Sequence, residues 1–201
     1  MGTFAYLVGV KIEDVKKKFG SKDIKLLDEI VKEDPKIVNE LEDIIFNYVP
    51  EKDRISVKSK LFGLVKAKDG SGLYGEWYEY FNALFALSKY VGKDICESAD
   101  ILKYGSTWWE TIDAQLKNIN SKFTLERMAE YKKVFDTPFE ENEGCTNIYE
   151  RHEISAFYDD YIKIESLIDS EDEELVQFYN DFKTGLKYCK DNDVDLLTFM
   201  Y

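Results

Sequence analysis

The two stretches richest in strand-forming residues stand far apart in the chain, at Thr3 to Val10 and Val194 to Tyr201, and the residues between them read mainly as helix. Thr3-Phe-Ala-Tyr-Leu-Val-Gly-Val10 concentrates aromatic and β-branched residues in a run too short for a helix, which predicts a buried strand. Val194 to Tyr201, entered through the turn Asp191-Asn-Asp193, predicts a second. A strand's backbone donors and acceptors need partners, so two such strands point to a sheet that helices then cover. The expected fold class is α+β: a predominantly helical single domain over residues 1–201, with a small sheet built from the N- and C-terminal strands. A chain of 201 residues fits one domain, and 44% hydrophobic content with 15% aromatics is enough to fill a core.

Between the strands, apolar spacing marks the helices. Ile12 to Phe19 has helical spacing and stops at Gly20, and Ser21 is the expected N-cap of a helix whose stripe is Ile24, Leu27, Ile30 and Val31. Asp34-Pro35 restarts a helical pattern that runs toward Pro50. Ser56 to Val65 reads as strand or loop, and Lys68-Asp-Gly-Ser-Gly72 as a turn. Leu73, Trp77, Phe81, Leu84, Leu87 and Val91 define a strong amphipathic helix ending at Gly92, expected to be the central core helix. Ser106 or Thr107 is the expected cap of a helix starting at Trp108, with Glu110 favouring its positive end. Trp109, Ile112 and Leu116 then share one face, which puts Trp109 in the core and leaves Trp108 as the better candidate for a contact. Pro138 to Thr146 reads as the longest loop. Ile154, Phe157, Tyr158, Tyr161 and Ile162 mark one late helix; Leu175, Phe178, Tyr179, Phe182, Leu186 and Cys189 mark another, capped by Ser170.

Charge narrows the partners. The formal charge is −13, and a negative field repels phosphate backbones and anionic lipid, so neither nucleic acid nor membrane is an expected partner. The charge is concentrated: between Phe139 and Asp181 fourteen Asp or Glu face only Arg151 and Lys163, a net of −12. Such a run is most often a solvated surface. Its functional counterpart is a docking face for a basic protein.

Cys96, Cys145 and Cys189 are widely spaced and odd in number, which suits neither a disulfide framework nor a zinc site and points to a reducing compartment. Met1-Gly-Thr-Phe-Ala-Tyr lacks the pattern of a signal peptide, and the expected location is cytoplasmic. His152 is the single histidine, which leaves no multi-histidine metal site. A Cys145 and His152 dyad, or the carboxylates Glu76 with Glu79 and Asp159 with Asp160, would be the residues of a small hydrolase or transferase. None has supporting residues at motif spacing. Gly70, Gly72 and Gly75 lack the strand and lysine of a phosphate loop. The expectation is therefore a non-enzyme without metal or cofactor.

Three segments together resemble a known group. Met1 to Val10 followed by Phe19-Gly-Ser-Lys-Asp23 and Leu26-Leu27, the helix at Tyr80-Phe-Asn-Ala-Leu-Phe-Ala-Leu87, and the ending Asp195-Leu-Leu-Thr-Phe199 resemble a family of small uncharacterised bacterial cytoplasmic proteins. The resemblance implies an immunity protein of a toxin system and brings no catalytic residues. An immunity protein needs a preformed surface of complementary charge rather than an active site. Tyr149, Tyr158 and Tyr161 interleaved with Glu150, Glu153, Asp159 and Asp160, with Trp108 as a further contact, are the expected partner-binding residues, and the expected partner is a basic toxin. A regulatory or scaffold domain with another protein partner is the alternative from composition alone.

Overall fold

The strand Thr3–Val10 (β1) pairs antiparallel with Asp195–Met200 (β5), from Ala5 opposite Met200 to Val10 opposite Asp195. The two ends of the sequence thus make the centre of the sheet. In this computed structural model residues 3–33, 35, 39, 77–95, 102–104, 106–130, 134 and 145–200 are described. Apart from Pro35 and Asn39, which are helical, the expected helix from Asp34 lies outside the described residues, as do the Ser56 to Val65 segment, the turn at Lys68 to Gly72, and Leu73, Glu76 and Cys96. The described elements are β1, α1 (Ile12–Lys16), α2 (Ile24–Glu33), α3 (Trp77–Val91), β2 (Lys93–Asp94), β3 (Leu102–Tyr104), α4 (Ser106–Asn118), β4 (Cys145–Tyr149), α5 (Arg151–Lys163), α6 (Glu173–Asn192) and β5. Short 3-10 helices occur at Glu126–Ala129 and Glu165–Leu167. The chain is α+β and mostly helical, and among the described residues no helix is long and apolar enough to cross a membrane.

The residues group into two compact units. The first comprises Met1–Lys11, Lys93–Val134 and Cys145–Tyr201, and holds the whole sheet. Its strand order is β2-β1-β5-β4, with β3 also pairing β1. β2 and β3 pair with the same edge of β1: Val8 faces Asp94 and Ala5 faces Leu102, partners that are three positions apart on β1 and eight apart between β2 and β3. Alternation sends Leu7, Tyr149 and Leu196 to one face, where they join the helical core. Tyr6, Val8, Leu197 and Phe199 point to the other and are buried too. Strands buried on both faces read as continuous apolar runs, which is why β1 and β5 were visible in the sequence.

The core of this unit is aromatic. Phe157 of α5 stacks on Phe123 with ring centres 4.8 Å apart, Tyr161 stacks on Tyr179 at 4.7 Å, and Phe182 lies 5.8 Å from Phe157 and 5.3 Å from Tyr161. Each such ring, fully removed from water, contributes about 1.5–3 kcal/mol before conformational entropy is subtracted. The stripe Leu175, Phe178, Tyr179, Phe182, Leu186 and Cys189 is buried along α6 as its spacing predicts. On α5 only Ile154, Phe157 and Tyr161 of the predicted stripe are buried; Tyr158 is half-buried and Ile162 exposed, because five apolar positions overfill the arc that one helix turns toward a core.

α6 begins two residues later than its sequence suggests: the cap is Asp172, whose carboxylate accepts the Leu175 amide at 2.9 Å, and Ser170 lies outside the helix. A carboxylate cap adds charge at the positive helix end that a hydroxyl lacks. α6 ends on Asp193 in the left-handed region (φ 51°). The close approach of α6 to β1 requires Gly9: a β-carbon there would stand 2.7 Å from the Tyr188 ring. β4 is the opposite edge, and it is covered. Asn147 donates to the carbonyls of Arg127 and Glu130 at 2.6 and 2.9 Å, while Arg127 Nη2 takes the Ile148 carbonyl at 2.7 Å. The edge is thereby closed to a second strand.

The second unit comprises Ile12–Gly92 and Phe135–Gly144. α1 stops at Lys16 instead of running to Phe19, the chain tightening through Lys18 to Val15 and Phe19 to Lys16 bonds before Gly20 turns left-handed at φ 64°. The cap of α2 is Asp23, whose carboxylate accepts the Leu26 amide at 3.4 Å, while Ser21 only receives the Asp23 amide. Leu26 and Ile30 supply the buried side of α2, and Leu84 to Ser88 that of α3.

Candidate functional site

Each expected contact residue has a definite place. Tyr149 and Tyr161 are fully buried, which removes them from any docking face. The Tyr149 hydroxyl donates to the Thr124 carbonyl at 2.8 Å, and the Arg127 guanidinium lies 4.8 Å above its ring. Burial pushes both phenols well above their ordinary pKa. Side chains so placed bind the fold together and touch no partner. The Tyr161 hydroxyl makes no hydrogen bond, a cost the surrounding rings must offset.

The carboxylates are mostly engaged. Glu153 takes two bonds from Arg127, at 3.2 and 3.1 Å, and closes a capping box by accepting the Glu150 amide at 3.1 Å. Asp159 pairs with Lys190 at 2.7 Å, and Lys190 lies over the Tyr158 ring at 4.8 Å. Asp160 pairs with Lys163 at 2.8 Å; that bond, opposed by some burial and helped by the Ser121 hydroxyl, lowers its pKa. Glu165 pairs with Lys183 at 2.7 Å, and Asp191 with Lys187 at 2.5 Å. Lys183, Lys187 and Lys190 thus form a stripe along α6 that neutralises an acid of the 3-10 helix Glu165–Leu167, one of its own helix and one of α5 respectively. The adjacent Asp159 and Asp160 have different partners and form no shared site.

His152 stands in the first turn of α5 with 72% of its side chain exposed, 3.3 Å from Glu150. Cys145 belongs to β4 and not to a loop, since its backbone pairs opposite Met200. Cys189 is buried, and that burial pushes its thiol pKa up. Among the described residues no group of three or more His, Cys, Asp or Glu is placed to hold a metal.

The tryptophan pair divides differently from its sequence reading. α4 starts at Ser106, and both rings are half-buried against the core. Trp108 lies 6.5 Å from the Phe178 ring, whereas Trp109, expected in the core, forms part of the wall of a cleft of about 600 Å³. Phe123 adds a second ring, Glu110, Asp113 and Glu126 add carboxylates, and Lys117 adds the one ammonium. Asp113 organises the cleft: its two oxygens accept the Leu125 and Glu126 amides at 2.6 and 2.8 Å, fixing the start of the 3-10 helix against α4. Its pKa is raised by burial, which those two bonds offset only in part. Nothing in the sequence signalled this clamp, because it joins residues twelve and thirteen positions apart across a turn.

A second cleft, of about 570 Å³, lies in the other unit among Asp14, Lys17, Glu33 and Tyr90. Lys17 is bound to Asp14 at 2.7 Å, and Tyr90 donates to Glu29 at 2.7 Å, which pushes the Tyr90 pKa up to about 12. No protein-family model, no curated protein and no solved structure matches the chain.

Proposed function

We propose that the protein is a non-enzymatic binding module for a basic protein, and that its specific form is a bacterial immunity protein acting on a basic toxin. One observation carries this reading. The exposed large apolar side chains among the described residues are Ile162 and Leu167, 38% and 46% exposed, and both fall within residues 162–174, where six acids face Lys163 alone. An apolar centre with a charged rim is the composition of a protein interface. Glu171, Glu173 and Glu174 are exposed there at the start of α6, and a concentrated negative field speeds encounter with a positive partner. The concentration of −12 between Phe139 and Asp181 supports the same reading, although the pairing of Asp159, Asp160 and Glu165 with lysines moves its available part toward residues 167–174.

The test is co-expression with the product of the adjacent gene in a growth assay. The expected outcome is a neighbour that is toxic alone and harmless together, with rescue lost in Leu167→Asp and weakened by Glu171→Lys with Glu174→Lys. A harmless neighbour, or a toxic one that a soluble wild-type protein does not neutralise, removes the toxin pairing. Rescue unaffected by these substitutions moves the interface away from residues 162–174.

A further inference from the structure

The carboxylates that remain available to a partner include two outside the acidic stretch of sequence. Glu110 of α4 and Glu126 of the 3-10 helix form no ion pair among the described residues, while Asp159, Asp160, Glu165 and Asp191 each hold a lysine. Glu110 and Glu126 border the same cleft, with the half-exposed Trp109 indole in its wall and the Asp113 carboxylate between them in sequence and lining. We propose that this cleft receives an arginine side chain of the basic partner, its guanidinium stacked on Trp109 and its N–H groups shared between Glu110 and Glu126.

Chemistry favours arginine over other occupants. The lining carries three carboxylates against Lys117, so a cation is attracted and an anion repelled. A guanidinium is planar, weakly hydrated and rich in donors, so it stacks on an indole face while bonding in its plane; an ammonium is a compact, strongly hydrated charge that does the first poorly. The Phe123 ring is not free for this role, since Lys122 already lies 5.0 Å from its centre. Trp109 is the platform that remains. Asp113 spends one lone pair of each oxygen on a backbone amide, so its contribution is a fixed negative charge at a rigid position rather than a mobile ligand. The cleft is therefore preorganised, and an entering side chain orders little else.

The proposal rests on the reading of a basic partner and names the residue that partner inserts. Its test uses the isolated protein and the blocked peptide acetyl-Gly-Arg-Gly-amide, titrated by two-dimensional amide NMR, with the isosteric citrulline peptide as a neutral control. Expected are saturable shifts centred on residues 109–126, millimolar affinity, and no saturation by citrulline. Glu110→Gln with Glu126→Gln, at two exposed positions whose side chains form no ion pair among the described residues, should weaken binding at least about tenfold, and Lys117→Gln should tighten it. Trp109→Phe serves as a second variant. No saturation by the arginine peptide, equal binding of citrulline, or unchanged affinity in the double variant would overturn the proposal. Rescue in the growth assay without peptide binding removes the cleft and keeps the partner; peptide binding without rescue keeps the cleft and removes the toxin pairing.

Discussion

Arg127 holds Glu153 at two points, Nη1 to Oε1 at 3.2 Å and Nη2 to Oε2 at 3.1 Å, with the guanidinium resting on the Tyr149 ring. The same Arg127 takes the Ile148 carbonyl, so one side chain ties the 3-10 helix to β4 and to the start of α5. Burial alone would raise the Glu153 pKa; the Arg127 bonds, the Glu150 amide and the Arg127 charge outweigh it and lower the pKa below 4.5. A depressed carboxylate stabilises the fold above its unfolded pKa, and that contribution is lost as pH falls through the folded value. Glu153→Gln should cost about 1.5–3 kcal/mol at neutral pH and should flatten the loss of stability below pH 4.5. Urea unfolding at a series of pH values checks both; an acid limb as steep as the parent's would place its origin elsewhere.

Gly9 is fixed by packing. Its backbone is ordinary strand, but an added β-carbon would meet the Tyr188 ring at 2.7 and 2.8 Å and Ile95 at 3.2 Å. Gly9→Ala should destabilise by about 1–3 kcal/mol, the usual cost of overpacking. Tyr188→Leu should recover part of that in the double variant, because contacting positions couple. Additive costs in the double-mutant cycle would show that the clash is relieved some other way.

The Asp113 clamp makes a local prediction. Asp113→Ala leaves the Leu125 and Glu126 amides without their acceptor, at a cost of about 1–3 kcal/mol. Hydrogen exchange should accelerate at Leu125 and Glu126 well before it changes in α6. Exchange rising evenly over the whole unit would mean that the clamp supports global stability only.

How much of this was legible follows from how local each signal is. β1, β5 and the α6 stripe are continuous patterns within one element, and their burial follows from spacing alone. β4 escaped because its centre is polar: Asn147 is buried in a strand, a placement that makes sense only once its amide is seen capping the Arg127 and Glu130 carbonyls. The ranking of Trp109 over Trp108 for the core rested on a spacing that does not separate them: Trp108 stands four and eight residues before Ile112 and Leu116, and Trp109 three and seven, so both lie on a helical stripe and both rings are half-buried. The acidic stretch was visible as composition. Its partial neutralisation was not, because Lys183 and Lys190 lie just beyond it in sequence and meet Glu165 and Asp159 only through tertiary packing, across eighteen and thirty-one positions.

That lysine stripe gives the last prediction, and its two readouts have opposite signs. Lys183 and Lys190 each combine an ion pair with a ring contact, Glu165 and Tyr179 for one and Asp159 and Tyr158 for the other. Exposed pairs of this kind contribute about 0–1 kcal/mol each, and a ring contact about 0.5–1 more. Lys183→Ala with Lys190→Ala should therefore lower stability by about 1–4 kcal/mol. It also removes two positive charges and releases Asp159 and Glu165 to the surface field. Association with a basic partner should become faster, by a factor that shrinks as salt is added. Stopped-flow association at two ionic strengths, beside urea unfolding, separates the effects. Slower association at low salt, in a variant that remains folded, would mean that the lysines contact the partner and that the acidic surface is not what draws it in.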